Sequence, residues 1–318
     1  MVIDYKITDI IPTSCATYSV TIHKLIYTIR TSYSIGRIMA EDLTEEQIMA
    51  VMQGIRIPPQ PQILVDLQME QFAPAPDIKR ISQLIGQDVG LSGTVLKVVN
   101  SPLYSLPNEI TSVSQAVSLI GLNSVINVIN GLAIKSQLSD DKITQLNRFW
   151  DTATDIAHLS ASLANQLNFS RQDLAYLLGL FHNCGIPLLM MRFDNYFDVM
   201  EMSYADPELR VVDIENRELN TNHAVIGYYT AKSWRLPRIL CDVIAEHHNA
   251  TRYFNTANQQ DSDEKTLLAI LKVAEHICGN YRILGRQSED LEWQACGQEV
   301  LAYLGIGEFD LEQLQDSY

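Results

Sequence analysis

The chain has 318 residues, 47% hydrophobic and 19% charged, which is enough apolar material for one large core or two smaller ones. Its formal net charge of −15 is concentrated after residue 150, and an anionic surface repels phosphate backbones and anionic lipids, which disfavours general nucleic-acid binding. No stretch approaches the roughly 18 uninterrupted apolar residues of a membrane span, and the opening MVIDYKITDI lacks the basic start and apolar run of a signal peptide, so a cytoplasmic location is expected.

Residues 1–38 are rich in Thr, Ser, Ile and Tyr and show no amphipathic face. They read as a disordered or artefactual extension, with Met39 as a candidate natural start. MAEDLTEEQIMAVM then places acids in a first helical turn, where the helix dipole favours them. IPPQPQILVDLQ follows, its prolines stiffening an extended entry, and a boundary is expected near Gly54, closing an N-terminal extension of residues 1–54. From here helical periodicity dominates and no run alternates as a strand would, so an all-α, multi-helix bundle with short loops is expected. One helix should end near Asn100, before Pro102. SVSQAVSLIGLNSVINVINGLAIKSQL reads as two helices about a turn at Gly121. A DNA-reading helix-turn-helix is disfavoured, because its second helix offers only Lys135 as a cation.

Further along, Ser170 with Asp173 resembles a capping box opening the helix into LLGLFHNCGIPLLM. Leu174, Leu178 and His182 are spaced by four, so His182 should face the interior, while Ala175, Gly179 and Asn183 form a line of small residues that admits another helix. Gly185 and Pro187 should end that helix. In NTNHAVIGYYTAKSW, His223, Gly227 and Ala231 share a face. Pro237 suits the first turn of RLPRILCDVIAEHH, where Ile239, Val243 and His247, and Leu240, Ile244 and His248, continue apolar stripes. In EKTLLAILKVAEHICGN, Leu267, Leu271 and Glu275 share one line, so a carboxylate also points inward and needs a partner. Taken singly, each histidine reads as a hydrogen-bonded core residue. Taken as a set, imidazoles and a carboxylate suit iron, manganese or zinc. The five cysteines, Cys15, Cys184, Cys241, Cys278 and Cys296, are scattered without a CxxC pair and read as reduced core residues.

From about Arg56 to about Gly279 the sequence resembles the HDOD domain, an all-helical relative of the HD phosphohydrolases of bacterial signalling. The resemblance rests on IPPQPQILVDL, ISQLIGQDVGLSGTVLKVVNSP, SVSQAVSLIGLNSV, LLGLFHNCG, ENRELNTNHAVIGYYTAKSWRLP and IAEHHN, in that order. It implies an HDOD domain over residues 55–280, with a helical part to about 148 and an HD-like part from about 149, followed by a helical tail over 281–318. By the same resemblance His182 matches the histidine of the catalytic His-Asp pair, His223 a lone histidine, and His247 with His248 a double histidine. Thr152 stands where an early metal-binding histidine belongs, Asn183 replaces the aspartate of the pair, and Glu275 stands for a final aspartate.

An asparagine offers one neutral carbonyl oxygen and bridges two ions poorly, so a binuclear centre is not expected. His182, His223, His247, His248 and Glu275 can still hold a single Fe, Mn or Zn ion, although no cofactor is the leading expectation. NATRYFNT after the double histidine lacks the glycine-tyrosine-proline loop of the cyclic di-GMP hydrolases. The expected function is a non-catalytic signalling adaptor acting on protein partners. The alternatives are a one-metal phosphohydrolase and a nucleotide sensor using Lys232, Arg235 and Arg238.

Overall fold

The computed structural model describes residues 45–58, 61–87, 89–101, 104, 109–138, 144–255 and 261–317, and among these every regular element is helical. The readings of residues 1–38 and of Met39 lie outside the described residues.

Helix α1 (Glu45–Met52) ends at a turn where Gly54 has φ +77°. Helix α2 (Gln62–Gln71) follows the proline-marked entry, and α3 (Ile78–Gly86) starts where the Asp77 carboxylate accepts from the backbone N–H groups of Lys79 and Arg80. Helix α4 (Val89–Val99) stops before Asn100, whose side chain both donates to and accepts from the backbone of Ile110, at 2.8 and 2.7 Å. The asparagine of the NSP segment thus clamps the returning chain onto the helix it leaves. Helix α5 (Val113–Ile120) is capped by Ser112, turns at Gly121, whose φ of +86° suits glycine, and continues as α6 (Leu122–Leu138). These helices close over Leu64, Leu67, Ile81, Ile85, Val95, Ala116, Val125 and Ile129.

The second half begins with α7 (Thr144–Gln166) and α8 (Gln172–Phe181), which lie against each other along their lengths. A side chain on Gly179 would come within 2.6 Å of the Ala157 backbone, so the small-residue line read from the sequence is the seam between them. The following helices are α9 (Gly185–Arg192), α10 (Tyr196–Ala205), α11 (Val211–Leu219), α12 (His223–Ser233) and α13 (Arg238–Glu246). A 3-10 turn, His247–Asn249, leads into α14 (Ala250–Asn255). Helices α15 (Asp263–Cys278), α16 (Asn280–Ile283), α17 (Leu291–Leu304) and α18 (Glu308–Ser317) complete the chain. Helix α15 packs against α7, α8, α13 and α17 and forms the axis of this half. The two halves are joined by polar ties as well as by apolar packing. The Trp234 indole donates to Pro58 O at 2.9 Å, and Gln68 Nε2 donates to Trp234 O at 3.3 Å.

Two local expectations need correction. The Ser170–Asp173 capping box does not form: Arg171 is the N-cap residue, and the Asp173 carboxylate accepts from Asn127 Nδ2 of α6 at 3.0 Å. That cross-helix bond uses the carboxylate that a box would have turned back on its own helix. The helix carrying His182 ends earlier than Gly185, at Phe181, with His182 as its C-cap. Gly185 instead opens α9, with Pro187 in its first turn, where a missing N–H costs nothing. The apolar stretch of residues 172–192 is therefore two helices broken at His182–Cys184, and 89% of its most apolar 18 residues are buried.

Candidate histidine cluster

The break between α8 and α9 presents His182 and Asn183 to the interior. It sits against the start of α12, because a side chain on Gly185 would collide with the His223 carbonyl oxygen. Asn222 caps α12, its Oδ1 accepting from Val225 N at 2.8 Å, which fixes His223 as the first helical residue. The HHN turn after α13 is held by Asn249, which donates to Glu246 Oε2 at 2.6 Å and accepts from Arg210, itself paired with Asp213.

Each imidazole is anchored through Nδ1. That atom lies 2.9 Å from Gly179 O in His182, 2.7 Å from Glu215 Oε2 in His223, 2.7 Å from Ile244 O in His247 and 3.0 Å from Glu292 Oε1 in His248. The partners of His223, His247 and His248 only accept, so each of those Nδ1 atoms donates and, in a neutral ring, Nε2 is left with a lone pair; these three Nε2 atoms converge, His223 Nε2 lying 3.2 Å from His247 Nε2 and 3.0 Å from His248 Nε2. Burial, with the neighbouring cations, holds His247 and His248 well below the usual imidazole range, so both are neutral. Three converging lone pairs require something positive among them, either one shared proton or one metal ion.

The other half of the cluster is ionic. Glu275 Oε1 faces His182 Nε2 at 3.2 Å and accepts from Asn280 Nδ2 at 3.1 Å, while Oε2 lies 2.8 Å from the Lys272 ammonium. The same ammonium reaches Glu292 Oε1 at 3.1 Å. Burial alone would raise Glu275, but Lys272 and His182 hold it well below the usual carboxylate range. Glu292 is raised by burial and by the Glu275 charge, against the pull of Lys272. Lys272, despite burial, is held above its ordinary value by the two carboxylates.

The structure thus divides the candidate ligand set. His223, His247 and His248 form the group able to hold a metal, and His182 and Glu275 pair with each other and with Lys272. Asn183 touches the triad, with Oδ1 3.2 Å from His247 Nε2, and the two groups meet where the His182 and His247 rings stand edge to face, 5.4 Å apart. Thr152 is buried on α7, and its hydroxyl donates to Arg148 O at 3.0 Å on its own helix. Lys232, Arg235 and Arg238 are not brought to the histidines. Lys232 is nine residues beyond His223 on α12, roughly 14 Å along the axis, lies over the Tyr228 ring and is exposed. Arg238 pairs with Asp242.

Four participants were not read from the sequence: Glu215, Tyr196, Lys272 and Glu292. Glu215 is fully buried and accepts from Tyr196 OH at 2.6 Å, from His223 N at 3.0 Å and from the His223 ring. Val211, Glu215 and Leu219 are spaced by four, as are Leu268 and Lys272, so the rule that found Glu275 would have found both. Glu292 comes from the C-terminal helices and carries no such signal.

The family model for the HDOD domain matches residues 57–250, and the chain belongs to that family. It is 27% identical over 196 residues to an uncharacterized protein of Treponema pallidum, covering 61% of this chain and 38% of that protein. It is 36% identical over 74 residues to YuxH of Bacillus subtilis, covering 23% of this chain and 17% of that protein. The chain thus spans less than half the length of these curated relatives. Among solved structures, it resembles an HDOD domain protein of unknown function from Geobacter sulfurreducens with a TM-score of 0.57 at 20% identity, covering 86% of this chain and 97% of that one. It also resembles a Shewanella amazonensis protein provisionally named a metal-dependent phosphohydrolase, with a TM-score of 0.60 at 19% identity and 90% of each chain covered. A Marinobacter aquaeolei protein provisionally named for signal transduction gives 0.58 at 19%, covering 95% of this chain and 62% of that one. Likeness at this identity establishes the shared fold.

Proposed function

We propose that this HDOD chain is a non-catalytic, cytoplasmic signal-transduction module that acts through protein–protein contacts, its histidine cluster serving as a closed polar core. The observation that carries this reading is closure: His182, Asn183, His223 and His247 are at most 2% exposed, and His248 is 4% exposed. A cavity of about 170 Å³ touches His248 alone among the four histidines, below the roughly 300 Å³ at which small-molecule sites begin. Hydrolysis of a phosphodiester also needs cations free to face the phosphoryl group. Lys272 is already held by two carboxylates, and Arg210 by Asp213 and Asn249. Support for a contact role comes from the seam between the halves, where a groove of about 800 Å³ is lined by Phe72, Leu122, Asn123, Asn127, Arg171 and Pro237, with Phe72 75% exposed. The test is a hydrolysis screen of bis(p-nitrophenyl) phosphate and cyclic dinucleotides with Mn²⁺, Fe²⁺ and Zn²⁺. The expected outcome is no rate above that of His223→Ala, and a metal-dependent rate abolished by His223→Ala would overturn the reading.

One observation favours a second reading, a single-metal site on His223, His247 and His248. His223 Nε2 lies 3.2 and 3.0 Å from the other two Nε2 atoms, close to the roughly 3.0 Å between neighbouring ligands set at right angles about 2.1 Å from one ion, and each ring is backed through Nδ1 as metal-bound histidines are. The donor set fits Fe, Mn or Zn, and such an ion would supply Lewis acidity. In either reading His223 organises the triad through its bond to Glu215. Elemental mass spectrometry of protein purified without chelators or a histidine tag separates the two. Near-stoichiometric metal supports this second reading, and its absence after anaerobic reconstitution leaves the shared proton.

A further inference from the structure

The charge of the second half is uneven. Between Glu218 and Asp242 lie 23 residues without an acid, the longest such run after residue 150, and they carry Lys232, Arg235 and Arg238, all exposed. Pro237, between two of these cations, lines the groove of about 800 Å³ at the seam between the halves. Of the groove's two charged lining residues, Arg171 is exposed and has no ion pair among the described residues, while Asp173 is taken up by Asn127 Nδ2 at 3.0 Å. Three helices also open here without a side-chain cap: α6 after Gly121, α8 after Arg171 and α13 after Pro237. Their first N–H groups have no partner within the helix, and each such end carries about half a positive charge. Elsewhere α3, α5, α12, α15 and α17 are each capped by an Asp, Ser or Asn side chain. The groove is open on its apolar side as well: Phe72, Met69 one turn before it and Leu119 in the last turn of α5 are exposed large apolar side chains.

We propose that this groove is the docking site for an acidic amphipathic helix of a protein partner, with the apolar face of that helix on Phe72, Leu122 and Pro237 and its carboxylates at Arg171 and the uncapped helix ends. The inference rests on the reading of the chain as a contact module and adds the chemistry of the partner. Charge decides between occupants. A second copy of the chain would set a net charge of −15 against an equal one, and a nucleic-acid strand would bring its phosphates to a molecule whose net charge opposes them throughout the approach. A single helix places a few carboxylates within the positive patch, and its apolar face covers Phe72, a match that a phosphate backbone does not offer. Both halves of the chain line the groove, so such a partner also clamps the seam between them.

The experiment titrates the full chain into a fluorescent amphipathic peptide with Leu and Phe on one face and Glu on the other, read by anisotropy. Saturable binding is expected, weakening as salt is raised. Arg171→Glu and Phe72→Ala should each weaken it at least about tenfold, and Arg235→Glu by less. Met202→Ala, exposed on α10 and outside the groove, should leave it unchanged, and the same peptide with Lys in place of Glu should not bind. Arg171 and Phe72 are exposed, so both variants should melt with the native protein, which separates a lost contact from a lost fold. No saturable binding, or binding unchanged by both substitutions, would overturn the proposal. So would an oligothymidylate strand, or a second copy of the chain seen by sedimentation, that binds in place of the peptide and is lost with Arg171→Glu. A metal-dependent hydrolysis rate with peptide binding intact would sink the non-catalytic reading alone, and absent binding without hydrolysis would sink this inference alone.

Discussion

The two halves of the molecule are built from the same helices and small-residue seams but have different interiors. Between residues 45 and 138 the buried polar side chains among the described residues are Gln68, Asn127 and Asn130, none of them ionisable. From residue 144 onward the interior holds four clustered histidines together with Glu215, Lys272 and Glu275, and Glu292 at its edge. An apolar interior is stabilised by area removed from water and is indifferent to pH. An ionic interior offsets its desolvation only when every member keeps its partner, so it specifies a single arrangement and fails abruptly when one partner is lost.

The largest effect should come from breaking the ionic interior. Glu215→Ala strands the ring and backbone N–H of His223 and the Tyr196 hydroxyl, and should lower stability by about 4 kcal/mol, within the range for an uncompensated buried pair. Glu215→Gln should recover part of that loss, since an amide oxygen still accepts. Leu67→Ala, its counterpart in the apolar half, should cost about 3 kcal/mol, read from chemical denaturation. Their pH dependence should differ, which sharpens the contrast.

The sign of that dependence follows from the shifts. His247 and His248 stay neutral in the folded protein, so the unfolded chain takes up protons as pH falls below about 6.5 and folding loses stability, by at most about 1.4 kcal/mol per pH unit for each ring. Glu275, held low, adds a further loss as pH falls through the carboxylate range, and Glu292, held high, offsets part of it. His247→Gln should flatten the slope between pH 6.5 and 5, whereas Leu67→Ala should shift the curve without changing that slope. The smallest effect is expected at Arg238→Ala, where an exposed pair with Asp242 is lost, and a change above about 0.5 kcal/mol would be out of keeping with its exposure.

Much of this contrast was legible in the sequence. A spacing of four from Leu174, Val243, Ile244 and Leu271 placed His182, His247, His248 and Glu275 inside, and all four are buried. The same spacing was present for Glu215 and Lys272, but a charged residue in ENREL or AILKVAEH reads as a solvated face unless the stripe is followed through it. Two things had no local signal. The end of α8 at Phe181 is set by α12 pressing on Gly185, and Glu292 reaches His248 across 44 positions of chain. Long-range partners of this kind leave no periodicity to read. The seam residues did: Gly179 was legible as a close approach, and α7 meets it there.

The measurement that bears most directly on a closed histidine core is chemical modification of the native protein by diethyl pyrocarbonate, with each histidine followed by mass spectrometry. His182, His223, His247 and His248 should remain unmodified until the chain unfolds, while His276, 18% exposed beside Asp290, reacts in the folded protein. Rapid modification of His223 or His247 in the folded protein would show that the cluster opens to small molecules and would contradict the closed, non-catalytic account.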